Sequence, residues 1–218
     1  MTASTERTST AVERVSALGA HAALLAQASG DPARFAMREL AFVTQLNLRG
    51  NAADGAFSTA VRGALGNDLP VAPNTWSGTP ERGAIWLGPD EWLVVAPEAE
   101  RIARLAALGA ALAGQHHSLV DVSANRTVLE LSGSDARVVL AKGCPLPLHA
   151  GAFAPPQSAQ SVLAKSQVLL QCCETTPVFR LYVRNSFAHY LAQWLADAAA
   201  ESAASRGLDS DRIAARLR

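Results

Sequence analysis

The sequence has few cysteines, no excess of either charge and no long apolar run, and each shortage argues against a class of protein. Three cysteines in 218 residues are a poor basis for a disulfide framework. Nineteen basic residues balance nineteen acidic ones, so charge gives no argument for binding nucleic acid or an anionic membrane. No apolar run approaches the ~20 residues that span a bilayer, and charges such as Glu6 and Arg7 interrupt any secretory signal. We expect a cytoplasmic protein.

The motifs of common cofactor and hydrolase sites are missing as well. The chain contains no glycine-rich dinucleotide or phosphate loop, no CxxC, no HExxH and no GxSxG. We therefore predict that this chain holds no catalytic, cofactor-binding or metal-binding residues. What it does contain, 49% hydrophobic against 17% charged residues, is enough apolar material for a packed core.

Hydrophobic periodicity predicts hairpins that alternate with helices. The predicted elements are a strand over 39–49, a helix carrying Phe57, Val61 and Leu65, a hairpin over 85–95, a helix over 97–114 with Ile102, Leu105 and Leu112 inward, a hairpin over 117–131, a short helix near 136–140 capped by Ser132 or Ser134, a hairpin over 168–183, and a final helix from Asn185 or Ser186 with an apolar stripe over 187–198. This order favours an α+β fold, with antiparallel sheets and helices on one face.

Composition divides the chain into three parts. Residues 1–28 predict a polar, partly disordered N-terminal segment, and residues 29–201 predict the α+β domain. Residues 202–218 are charged and alanine-rich, which predicts a tail or a short helix.

The cysteines are the first residues to consider for chemistry. Cys172 and Cys173 are adjacent on a predicted strand, so their side chains point to opposite faces and cannot readily share a metal. We expect one in the core and one at the surface. Cys144 follows Lys142, which could activate its thiol, but an ordinary buried cysteine is the favoured interpretation.

Histidines and one polar hairpin complete the candidates. His116 and His117 follow a predicted helix, where a histidine is favourable with the helix dipole, and His149 lies in a long proline-rich loop as a contact candidate. Four polar residues near one hairpin are compatible with a polar site or with solvated turn positions, and the sequence leaves both open. They are Asp121, Asn125, Arg126 and Glu130.

An ordered set of sequence words extends over residues 30–200. It comprises QLNLRG (45–50), LP (69–70), PNT (73–75), WLGPDEWL (86–93), DVS (121–123), RT (126–127), KGCPL (142–146) with His149, AQS (159–161), AK (164–165) and FRLYVRNSF (179–187). In this set the chain resembles the sarcosine oxidase gamma-subunit family.

The resemblance implies a fold with ferredoxin-like lobes, as in folate-binding aminomethyltransferase-type domains. It implies a non-catalytic subunit of a heterotetramer that oxidatively demethylates sarcosine to glycine, with hydrogen peroxide and transfer of the one-carbon unit to tetrahydrofolate. It also implies alpha, beta and delta subunits as partners, chiefly the large alpha subunit, with FAD, FMN, NAD and zinc held by those other subunits and none by this chain.

One departure from folate-using relatives bears on this chain's own role. After Lys142-Gly143-Cys144, those relatives continue with tyrosine, glycine and a Gln-Glu pair, whereas this chain continues with prolines and leucines over 145–148. We therefore predict that the chain alone does not bind tetrahydrofolate, and that this apolar loop suits contact with a protein. Trp86 and Trp92 are either interface anchors or core residues. The alternatives are a free-standing folate-dependent one-carbon-transfer or regulatory domain, or an assembly module of a related N-methyl amino acid oxidase.

Overall fold

The computed structural model describes residues 14–29 and 31–216, which form ten strands and five α-helices. The strands are β1 (Ala36–Leu40), β2 (Thr44–Arg49), β3 (Trp76–Gly78), β4 (Gly83–Gly88), β5 (Glu91–Ala96), β6 (Ser118–Asp121), β7 (Arg126–Ser132), β8 (Ser158–Leu163), β9 (Ser166–Glu174) and β10 (Val178–Arg184). The helices are α1 (Ala22–Ala28), α2 (Gly55–Leu65), α3 (Arg101–Ala111), α4 (Ala136–Ala141) and α5 (Asn185–Arg216), and single 3-10 turns precede α1 and α3.

The strands form two antiparallel five-stranded sheets that pack face to face. The first sheet has the order β1-β7-β10-β9-β8, and the second has the order β3-β4-β5-β2-β6. Apolar side chains such as Ile85 and Leu93 of the second sheet meet Val128, Leu169 and Tyr182 of the first between the sheets. Helices α1, α4 and α5 cover the outer face of the first sheet, and α2 and α3 cover that of the second. The predicted α+β class, with antiparallel sheets and helices on one face of each, is confirmed.

The predicted single strand over 39–49 is wrong. The chain turns between β1 and β2, where Phe42 has a left-handed backbone with φ of 58°, and the two strands join different sheets. Leu46 and Leu48 are buried as expected, but Gln45 on the opposite face is buried too. The reason is that the opposite face of β2 packs against the first sheet, where the Gln45 amide donates to the Arg126 carbonyl at 2.8 Å.

The predicted hairpin over 117–131 is also wrong, while the other two are confirmed. Strand β6 pairs with β2 in the second sheet, and β7 pairs with β1 and β10 in the first. Strand β7 is buried on both faces and takes a central position, whereas β6 is an edge strand with mostly exposed residues. Strands β4 and β5, and strands β9 and β10, pair as predicted.

The helices lie where they were predicted along the chain, but they do not always bury the predicted side chains. Helix α2 ends as expected at Gly66, whose φ is 82°. In α3 the side chain of Ile102 is 78% exposed, contrary to prediction, since it lies about 120° around the helix from the buried Leu108. Asp135, not Ser132 or Ser134, is the residue preceding α4 at its N-cap, and it makes no side-chain capping bond.

The two ends of the chain extend the folded unit. Leu18 and Leu25 are buried in the core beneath the first sheet, so this part of the predicted N-terminal segment packs on the domain, while residues 1–13 lie outside the described residues. Helix α5 continues to Arg216, through most of the predicted tail. Its buried stripe runs through Leu191 and Leu195, but Phe187 is 43% exposed, so the predicted stripe is rotated at its start.

Candidate functional site

A network of ion pairs lies at the edge of the space between the sheets. The Arg180 guanidinium donates to Glu130 Oε2 at 3.0 Å and to Glu81 Oε1 at 2.6 Å. Arg38 donates twice to Glu130 Oε1, at 2.8 and 2.5 Å. We call these four residues the Arg180 network. Because Glu81 lies in the turn between β3 and β4, the network joins the second sheet to the first.

The charges of the Arg180 network are satisfied within the chain. Burial raises the pKa of Glu81, but hydrogen bonding to Arg180 and the charge of Arg180 outweigh burial and hold that pKa below its usual range. Glu130 and Arg180 are both buried and bonded to each other. Because these charges are paired with one another and Glu81 belongs to the second sheet, we assign the network to joining the sheets.

The adjacent cysteines are not placed for chemistry. Cys172 faces the core under the first sheet and Cys173 faces the opposite side, as the strand geometry predicts, but both are buried. The expectation of one surface cysteine is wrong because the first sheet is covered on both faces. Burial raises the pKa of Cys173 to about 12 and also raises that of Cys172, so both thiols stay protonated at neutral pH.

The loop after α4 turns its leucines toward the core and leaves Pro145 and Pro147 exposed. Cys144 is buried, as favoured from the sequence, with its sulfur 4.0 Å from Ser161 Oγ. Leu148 is buried in the core, and Arg137 donates to the Leu148 carbonyl at 2.6 Å. Leu148 is therefore unavailable to a partner, contrary to the expectation that this apolar loop offers a protein contact. His149, next in sequence, is exposed and stays a contact candidate.

The four polar residues near the predicted hairpin do not form one site. Asp121 accepts hydrogen bonds from the backbone and hydroxyl of Ser123, at 2.9 and 2.6 Å, at the edge of the second sheet. Glu130 belongs to the Arg180 network, and Arg126 begins β7 at the far end of the same strand. Asn125 lies in the turn before β7, where its carbonyl accepts from the backbone of Asn185. The predicted hairpin over 117–131 would have brought them together, but β6 and β7 lie in different sheets.

The remaining candidates have structural surroundings. Trp92 is fully buried and its indole donates to the Pro70 carbonyl at 2.8 Å, so it is a core residue, while Trp86 is half-buried against the same core. His117 Nδ1 lies 2.9 Å from the Gln115 carbonyl, beyond the end of α3. Within the described ranges, no group of three or more His, Cys, Asp or Glu side chains could hold a metal ion.

A crevice that sequence reasoning missed opens at one end of the space between the sheets. It has a volume of about 420 Å³ and is lined by Leu87 of the second sheet and by side chains from four strands of the first, including Tyr182. Two of its lining residues, Arg126 and Arg184, lie directly opposite each other on β7 and β10. Arg184 was not predicted as a site residue because it lies next to Arg126 only when β7 pairs with β10, and the sequence analysis paired β7 with β6 instead.

Comparison with known proteins identifies the family. The model of the sarcosine oxidase, gamma subunit family matches residues 49–201. This chain belongs to that family. Among gamma subunits, those of Corynebacterium sp. (strain P-1) and Arthrobacter sp. are each 41% identical to it, over 168 and 170 residues, which is 77% of this chain and 81% of each relative.

Solved structures agree with the family assignment. A chain of heterotetrameric sarcosine oxidase from Corynebacterium sp. U-96 superposes with a TM-score of 0.78 at 35% identity, over 86% of this chain and 95% of that one. The glycine cleavage aminomethyltransferase of Bartonella henselae shares the fold, with a TM-score of 0.56 at 18% identity over 79% of this chain and 48% of that one. The predicted resemblance to the gamma-subunit family is confirmed, and so is the predicted likeness in fold to the aminomethyltransferase. In the described part of this gamma-family chain, no helix has the length and apolarity to cross a bilayer.

Proposed function

We propose that this chain is the non-catalytic gamma subunit of a heterotetrameric sarcosine oxidase. In such an enzyme, sarcosine is oxidatively demethylated to glycine with formation of hydrogen peroxide, and the one-carbon unit passes to tetrahydrofolate. The observation that carries the proposal is the 41% identity to gamma subunits over 77% of the chain.

The residues of the chain support a role without catalysis. The thiols of Cys172 and Cys173 are buried and their pKa values are raised, so they are poor nucleophiles and poor metal ligands. The acids of the Arg180 network already accept hydrogen bonds from arginines of the chain. We assign FAD, FMN, NAD and zinc to the other subunits, and we assign catalysis to those subunits as well.

The role that remains is assembly with the alpha, beta and delta subunits in the cytoplasm, chiefly with the large alpha subunit. A subunit that binds only the folded form of its partner stabilises that form by mass action. The solved relative with a TM-score of 0.78 is a chain of a heterotetrameric enzyme, which supports this role.

Co-purification tests the proposal. The chain is expressed with an affinity tag in its native host and isolated under mild conditions, and the bound proteins are identified by mass spectrometry. We expect larger subunits that carry flavin to co-purify, together with sarcosine-dependent formation of hydrogen peroxide. Isolation of the tagged chain alone, with the oxidase in the unbound fraction, would refute the proposal.

A further inference from the structure

Two cross-strand pairs on the same two strands have opposite electrostatic character. Along the inward face of β10, Arg180 lies opposite Glu130 of β7, and Arg184 lies opposite Arg126. The first pair forms a buried ion pair with a separation of 3.0 Å. The second pair brings two like charges together, an arrangement that destabilises an antiparallel ladder. The chain therefore pairs the buried Arg180 with an acid, whereas Arg184, which is exposed at the end of β10, lies opposite a second arginine.

The hydrogen bonds and salt bridges of the described residues do not include the side chain of Arg126 or of Arg184. Arg126 is half-buried, and its pKa is lowered by burial and then by the charge of Arg184, which together outweigh the opposing effect of the Glu91 carboxylate. The lining of the crevice contains these two arginines and no aspartate or glutamate. Glu91 is the acid close enough to act on Arg126, so the two guanidinium groups outnumber it. Their unused donors on one concave surface favour an anion.

We propose that the crevice receives a carboxylate from an acidic segment of a partner subunit. The paired guanidinium groups offer the planar donor geometry that carboxylates accept. The rim adds Val162, which is 43% exposed, as apolar contact, and the Gln160 amide is already engaged with the Leu87 carbonyl at 2.8 Å, which holds the two walls together. The proposal rests on the assembly role given above and names the chemistry of one contact in it.

Variants of the two arginines test the proposal in the complex. Each form of the chain is added to the remaining co-expressed subunits, and its affinity is measured by biolayer interferometry at several salt concentrations. Arg126→Gln/Arg184→Gln removes both charges, and Arg62→Gln, which changes an exposed arginine paired with Asp68, is the matched control. We expect the double variant to lose affinity on the order of 30-fold or more, with a weaker salt dependence, and the control to bind like the wild type.

A second variant separates docking from folding. Arg184→Glu places a carboxylate opposite Arg126, so we expect the free chain to melt at the same temperature as the wild type or higher, while assembly is lost as in the double variant. Wild-type affinity in these variants would overturn the proposal, and so would a loss of affinity matched by a lower melting temperature of the free chain. If inorganic phosphate stabilised the free wild-type chain while the variants assembled normally, the crevice would be a small-anion site and the proposal wrong. A wild-type chain that binds no subunit would overturn both this proposal and the assembly role.

Discussion

The Arg180 network gives the sharpest test of how the two sheets are held together. In Arg180→Met, Glu130 stays buried and keeps only Arg38, whose side chain is 70% exposed, while the Glu81 turn loses its bond to the first sheet. Removing one partner of a buried ion pair costs about 3–5 kcal/mol. Because Arg38 still neutralises part of the Glu130 charge, we expect about 3 kcal/mol, or a melting temperature lower by roughly 6–12 °C.

Urea unfolding of the purified chain, followed by tryptophan fluorescence, measures this loss. Arg62→Met, in a pair whose side chains are 64% and 66% exposed, is the control and should cost less than about 1 kcal/mol. Adding Glu130→Gln to Arg180→Met removes the carboxylate left behind, so the double variant should lose less than the sum of the single losses. A loss below about 1 kcal/mol in Arg180→Met, or strict additivity in the double variant, would show that the network does not join the sheets.

Three further predictions follow from the same structure. Cys172→Ala/Cys173→Ala should weaken the chain's stability but leave turnover of the assembled enzyme unchanged, and a loss of turnover in a fully folded, assembled variant would contradict this. The isolated chain should show no flavin absorbance and no binding of tetrahydrofolate in calorimetry, and a low-micromolar dissociation constant, roughly −8 kcal/mol, would revive the folate-dependent alternative. The pKa of Glu81 is lowered on folding, so its contribution to the free energy of unfolding is present above the ordinary carboxyl pKa and is lost as pH falls through the folded value. The wild type should therefore lose more stability than Glu81→Gln between pH 7 and 3. The difference should be less than about 1 kcal/mol, because Glu81 is half-exposed.

Local patterns in the sequence predicted those elements whose partners are neighbours along the chain. The β4–β5 hairpin surrounds a Pro-Asp turn, and α2 ends at a glycine with a left-handed backbone, so each carries its own signal. The β9–β10 hairpin is predicted in the same way, although the sequence does not show that both faces of β10 are buried. Arg180 and Tyr182 are both buried because the second sheet covers that face.

Long-range pairing set the limit of what the sequence could predict. Strands β6 and β7 are separated by a short turn and look like a hairpin, but each finds its partners in a different sheet. No local pattern distinguishes these outcomes, since the preference of β7 for a central position depends on the strands that flank it. The arginines of the crevice could not be predicted for the same reason, because Arg184 lies opposite Arg126 only when β10 pairs with β7.

Fractionation of a native extract tests the central claim most directly. Gel filtration separates the extract, an antibody locates this chain, and each fraction is assayed for flavin absorbance and for sarcosine-dependent hydrogen peroxide. The account predicts that the chain elutes together with the flavin and the activity, at a mass far above its own 22.8 kDa. Elution of the chain near its own mass, with the activity in fractions that lack it, would contradict the account.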